Sequence, residues 1–244
     1  MQTLTLQESI KELKLSHIAQ HYETIAEDAA KKSWTHLEFL ERLIQGEIGI
    51  RKQHALKRRV QKAHFPVIKT IDQYQWNWPS TINQQEIMHT FRLGFLEKRT
   101  NVIFLGSVGV GKTHLASALA YTSCQHEYST LFTTAVEAVN NLVAAHAQQR
   151  LKNELNKYLS PKLLVLDELG YLPLDKTGAD LLFQIISQRY EKASTIITTN
   201  KPFKQWPTIF NNDTGIASAI LDRLLHNATT IVIEGKSYRM KNRI

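Results

Sequence analysis

The segment that most constrains this chain is Gly106-Ser107-Val108-Gly109-Val110-Gly111-Lys112-Thr113. It fits G-x-x-x-x-G-K-[ST], the phosphate-binding loop. The apolar run Asn101–Leu105 precedes it and reads as a strand. His114–Tyr121 follows and reads as a helix. Glycines at a strand-to-helix turn let the backbone curl until successive N–H groups face an anion. The helix adds its unpaired amides and the positive end of its dipole. Lys112 is then placed to reach the β- and γ-phosphates of a nucleotide, and Thr113 to hold Mg²⁺. A ligand-free glycine turn is the competing reading. The Lys-Thr pair in register and the flanking elements argue against it.

Further runs that read as buried strands end in polar residues. Lys162–Leu166 leads to Asp167-Glu168, and Ser194–Thr199 leads to Asn200. With Ser129–Thr133 as another short strand and helices expected over Ala135–Leu159 and Leu181–Tyr190, strands and helices alternate. That pattern predicts an α/β fold, a parallel sheet with helices on both faces. Sites in such sheets gather at the carboxyl ends of the strands, where the loop, Asp167-Glu168 and Asn200 all fall. Asp167 is a candidate second Mg²⁺ ligand opposite Thr113. Glu168 is placed to polarise a water, and Asn200 to hydrogen-bond that water or the γ-phosphate. Lys112, Asp167, Glu168 and Asn200 together point to hydrolysis. A kinase would share the loop, but the Asp-Glu pair favours water as the nucleophile. Arg223, on a helix expected over Ala217–Leu225, is a candidate arginine finger supplied to a neighbouring subunit; an ordinary surface arginine is the alternative.

Ahead of the loop, residues 4–63 read as helices. Thr5-x-x-Glu8 and Thr35-x-x-Glu38 look like capping boxes, with Ser33-Trp34 as a connection between helices. Leu37, Leu40, Leu43, Ile44 and Ile48 recur at helical spacing as a face to be buried. The chain carries a formal charge of +8, and part of that excess is local. No acid occurs between Ile48 and Ile71. At about 100° per residue, Arg51, Lys52, Arg58, Arg59 and Lys62 share one arc of roughly 120°. Such an arc suits a nucleic-acid backbone, and a solvated helix face is the alternative. The expected organisation is a helical module over residues 1–65, a linker over 66–82 and a nucleotide-binding domain over 83–244. The linker's aromatics are expected to pack, with a covering role over a base as the other possibility.

Other classes find little support. No run approaches a membrane span, and no leader pattern is expected, which favours the cytoplasm. The one cysteine, Cys124, is expected to be a buried, inert thiol. His17 and His21 have a spacing that can hold zinc, but no third ligand is evident.

Several signatures resemble one family. They are Gly106–Ala116, Leu164–Pro173, Leu182-Phe183 with Arg189-Tyr190, Thr198-Thr199-Asn200, Leu221-Asp-Arg-Leu-Leu-His226 and Ser237-Tyr-Arg239. Together they resemble the IstB-like ATPases, transposition helpers of bacterial insertion sequences that are similar to the helicase loader DnaC. The resemblance implies an AAA+ ATPase that uses ATP and Mg²⁺ and self-assembles into a homo-oligomer on double-stranded DNA. It also implies recruitment of a cognate transposase at the target. It matches Arg223 to the arginine-finger position and gives the N-terminal module a share in DNA binding. A DnaC-like helicase loader is the alternative, and a DNA-coating protein that does not hydrolyse ATP is a third. The family's general plan adds a helical lid after the core. With Thr229–Ile233 reading as a strand, a full lid is not expected here, and Arg239 is a position that could approach the phosphates.

Overall fold

The computed structural model describes residues 5–78 and 82–238. The chain divides into two compact units, Met1–Arg58 and Arg59–Ile244. Arg239 lies outside the described residues.

The first unit is helical. Helix α1 (Leu6–Glu12) opens on the expected capping box. Thr5 Oγ1 accepts from Glu8 N at 3.3 Å, and Glu8 Oε2 accepts from Thr5 N at 2.7 Å. Lys14 at φ 53° then breaks the chain before α2 (Ser16–Lys31). Helix α3 (His36–Lys62) carries most of its length in this unit and its last turn, from Arg59, in the second. The Thr35–Glu38 box opens α3. Helix α2 has no side-chain cap of its own. Glu47 of α3 fills that role, accepting from His17 N at 2.8 Å and Ile18 N at 3.4 Å. The helices approach closely at Gly46, where a Cβ would lie 2.2 Å from the His17 ring.

The apolar periodicity of α3 is only partly a core stripe. Leu43 is buried, but Leu37, Leu40, Ile44 and Ile48 stay 46–65% exposed. The start of α2 meets α3 at Gly46 and Glu47, beside the exposed members of the stripe.

The second unit is a five-stranded sheet of order β2-β3-β4-β1-β5. The strands are β1 (Asn101–Gly106), β2 (Thr130–Thr134), β3 (Leu163–Leu169), β4 (Ser194–Thr199) and β5 (Ala228–Ile233). All pairings are parallel. β4 is buried throughout and β3 nearly so, without alternation, as strands covered on both faces should be.

Helices α4 (Gln84–Thr90), α5 (Gly94–Glu97) and α6 (Lys112–Gln125) pack on one face, around Phe104, Leu115, Leu119 and Val165. On the other face lie α7 (Ala135–Ala147), α8 (Leu151–Leu159), α9 (Lys176–Arg189) and α10 (Thr214–Leu225), around Leu142, Leu166, Leu182 and Ile197.

Two expected helices are broken. The helix from Asn83 divides at Leu93, φ 61°. The helix expected over Ala135–Leu159 divides at Gln149, φ 56°. An unbroken helix of that length would run ~37 Å, well past a sheet of short strands. The reversal instead returns Leu155 and Tyr158 to the core. Among the described residues no α-helix follows β5. The parallel sheet, its helices on both faces and the helical N-terminal unit match the expected fold class.

A candidate nucleotide site at the carboxyl edge of the sheet

The loop leaves β1 at Gly106 and enters α6 at Lys112. Gly109 and Gly111 sit at φ 80° and 97°, where a side chain is strained. Gly106 is confined differently: a Cβ there would lie 2.2 Å from Ile233 O. Val110 is buried, and the Tyr74 hydroxyl donates to its carbonyl at 3.2 Å. Burial pushes the Tyr74 phenol up to about 12, so it stays a donor at neutral pH. The linker aromatic therefore packs beneath the loop, as expected of it. Lys112 Nζ donates to Gly106 O at 2.9 Å and Ser107 O at 2.7 Å, folded over the loop it serves.

Thr113 and Asp167 meet. Thr113 Oγ1 donates to Asp167 Oδ1 at 3.0 Å, joining the first turn of α6 to β3. Asp167 is 3% exposed. Burial pushes its carboxyl up, against the opposing pull of hydroxyls from Thr198 and Thr113, the Glu168 backbone and the Lys112 charge. The oxygens of Thr113 and Asp167 are hard donors that suit Mg²⁺. Among the described residues there is no cluster of three or more His, Cys, Asp or Glu. The donor set thus fits an ion that draws its remaining ligands from phosphate and water. Among the described residues His17 and His21, whose rings lie 4.6 Å apart and tilted by 44°, have no third such ligand beside them.

Glu168 is exposed and takes φ 59°. Its strand pairing explains this. Leu166 pairs with Ile197 and Leu169 with Thr199, so β3 gains one residue on β4 and bulges between them. The bulge turns Glu168 outward while Asp167 stays inward. The Glu168 N–H donates to Thr198 Oγ1 at 2.9 Å, and the Thr198 hydroxyl donates to Asp167 Oδ1. Left-handed backbone on a non-glycine residue costs about 1–3 kcal/mol and gathers at functional sites. The sequence marked Asp167 and Glu168 but not Thr198; Thr198 was visible only as part of Thr198-Thr199-Asn200. Asn200 follows β4, which lies between β1 and β3, so it stands between the loop and the acids.

Arg223 is elsewhere. The C-terminal end of α10 sits at the amino end of β1, where Asn101 Nδ2 donates to Leu224 O at 3.1 Å and Asn101 N to Asn227 O at 2.8 Å. From there to the loop is the length of β1, about 16 Å at ~3.3 Å per residue. Arg223 lies over the Phe183 ring at 5.0 Å and donates to Ala219 O at 2.9 Å. It cannot reach its own chain's phosphate loop.

The basic arc is thinned by protein acceptors. Arg51 donates to Glu47 Oε1 at 3.0 Å and Lys14 O at 3.2 Å. Arg59 donates to Cys124 O at 2.9 Å, neutralising the carboxyl end of α6. Lys52, Arg58 and Lys62 remain exposed. Cys124 is fully buried, and burial pushes its thiol up, so it is inert as expected.

A family model described as IstB-like ATP binding protein matches residues 8–244. The chain belongs to this family. Its relatives include a Bacillus thuringiensis subsp. berliner protein named for insertion sequence IS232 and for ATP binding. That relative is 40% identical, over 96% of this chain and 93% of its own length. A Pseudomonas aeruginosa counterpart named for IS21 is 39% identical, over 96% and 88%. Solved structures share the fold. DnaI superposes with a TM-score of 0.58 at 22% identity, covering 68% of this chain and 90% of its own. The DnaC helicase loader gives 0.54 at 24%, covering 67% and 96%. The chain thus shares the fold of these two proteins, a parallel sheet flanked by helices with a glycine loop between β1 and α6. Among the described residues no helix is long and apolar enough to cross a membrane.

Proposed function

We propose that this chain is an ATP-hydrolysing AAA+ protein that assembles with its own copies on double-stranded DNA. There it recruits or activates a cognate transposase. The observation that carries the hydrolytic reading is the chain of contacts Thr113–Asp167–Thr198–Glu168. It fixes a metal-ligating pair and sets an outward carboxylate beside it. Thr113 and Asp167 would hold Mg²⁺, which when bound supplies positive charge to the phosphate oxygens. Lys112 exchanges its loop carbonyls for the β- and γ-phosphates. Glu168 accepts the proton of the attacking water, and Asn200 orients that water. Arg223, stranded from its own loop, serves a neighbour's.

The transposition reading rests on relatives named for insertion sequences. The DNA reading rests on the exposed cations Lys52 and Arg58 in the first unit and Lys62 in the second. Fluorescence anisotropy with a labelled duplex tests it. Binding should need ATP over ADP, and its logarithm should fall linearly with the logarithm of salt. Charge reversal at Lys52, Arg58 and Lys62 should flatten that slope. An unchanged slope removes the DNA face. Capture of a replicative helicase with no affinity for duplex DNA would favour a helicase loader.

A further inference from the structure

Beyond Ile233 the chain does not leave the sheet edge. It turns at Gly235 and crosses the phosphate loop. Hydrogen bonds hold it there. Ser107 Oγ donates to Gly235 O at 2.9 Å, Tyr238 N donates to Gly109 O at 2.9 Å, and Trp78 Nε1 donates to Lys236 O at 3.0 Å. The fit is close, since a Cβ on Gly109 would lie 2.1 Å from Ser237 Oγ. Of this segment only Ser237 is half-buried, and the rest is exposed. An exposed segment gives up little apolar burial when it opens. None of the three bonds uses a loop N–H, so the strap and a bound phosphate do not compete for the same donors.

The two ends of the clasp come from distant parts of the sequence. Trp78 belongs to the linker that also supplies Tyr74 beneath Val110. The loop is therefore held by Tyr74 at Val110 and by Glu234–Tyr238 at Ser107 and Gly109. We propose that Glu234–Tyr238, clasped by Trp78, is the movable wall of the nucleotide site and sets the rate at which nucleoside diphosphate leaves. A nucleotide seated on the loop is retained while the strap is closed. Release requires the strap to part from Gly109 and Trp78. This rests on the loop being a nucleotide site.

Stopped-flow release of a fluorescent ADP from the full chain tests the wall. Trp78→Phe keeps an aromatic ring, though a smaller one, and deletes the N–H; Tyr238→Pro deletes the amide donor at an exposed residue. Each should speed release about three- to tenfold, the effect of one lost hydrogen bond, with association little changed. Combined, they should give less than the product of the single effects, because both open one strap. Unchanged release in both variants overturns the proposal. So does faster association with unaltered release, which would make the strap an obstacle and not a retainer. Failure of the parent chain to bind the fluorescent ADP, with Lys112→Ala as the matched control, would defeat the nucleotide reading itself. Binding by the parent with release unaltered in the variants defeats the strap alone.

Discussion

The Thr198 hydroxyl donates to Asp167 Oδ1 while the same oxygen accepts the Glu168 N–H at 2.9 Å. One side chain on β4 thus sets both acids of β3. It holds the first inward towards Thr113 and ties down the bulge that turns the second outward. Because β4 separates β3 from β1, the strand that positions the acids is also the strand next to the phosphate loop.

Thr198→Val should therefore harm both fold and turnover. It leaves the Glu168 amide and one lone pair of Asp167 without a partner in a buried place. The cost is about 1–3 kcal/mol by chemical denaturation. ATP turnover should fall at least tenfold in kcat with a smaller change in KM, since the acids are displaced and the loop is not. Thr198→Ser keeps the hydroxyl and should recover most of the turnover. A valine variant with normal kcat would show that Thr198 only packs.

Asp167→Asn should separate stability from function. Burial raises the Asp167 carboxyl above its ordinary 3.8, so the charged form opposes folding at neutral pH. That penalty is full above the folded value, fades as pH falls through it and is gone below the unfolded one. Without nucleotide at pH 7, the asparagine variant should melt at or above the parent temperature. The advantage should shrink as pH is lowered, and Mg²⁺-dependent ATP binding should be lost. A variant that melts below the parent at pH 7 and gains on it towards acid would contradict the raised value.

Glu47 carries the opposite sign. Its burial raises the carboxyl, but Arg51 and the amides of His17 and Ile18 outweigh burial and lower it below 4.5. Its stabilisation is fully present above the unfolded value and is lost as pH falls through the lower folded one. Arg51 is largely exposed, so the ion pair itself contributes little. Most of the effect is the cap on α2. Glu47→Gln should cost about 1 kcal/mol at neutral pH. Amide exchange at His17 and Ile18 should quicken, and the difference from the parent should narrow in acid. Unaltered exchange at those two amides would remove Glu47 as the cap.

Much of this was legible in the chain. The strand, glycine turn and helix around Gly106–Thr113 are local features, and Asp167 and Asn200 stand at the ends of runs that read as buried strands. What escaped depends on register or on distant partners. The left-handed Glu168 follows from the pairing of β3 with β4, which periodicity does not reveal. Arg51 and Arg59 looked free because Glu47 lies just outside the acid-free stretch and Cys124 O is far away in sequence. The break at Gln149 answers to the size of the sheet and not to any glycine or proline. Leu37, Leu40, Ile44 and Ile48 have the right spacing for a core stripe, yet the start of α2 meets α3 at Gly46 and Glu47 instead.

In the proposed function a second copy completes the hydrolytic site, because Arg223 lies a strand's length from its own loop. ATP turnover on duplex DNA by an equimolar mixture of Arg223→Ala and Glu168→Gln chains tests this most directly. Each variant alone should be nearly inactive. In random mixed assemblies, an alanine-variant site with intact Glu168 meets Arg223 from a glutamine-variant neighbour. Turnover should return to about a quarter of the parent rate. A mixture no faster than the two variants measured apart would contradict the account.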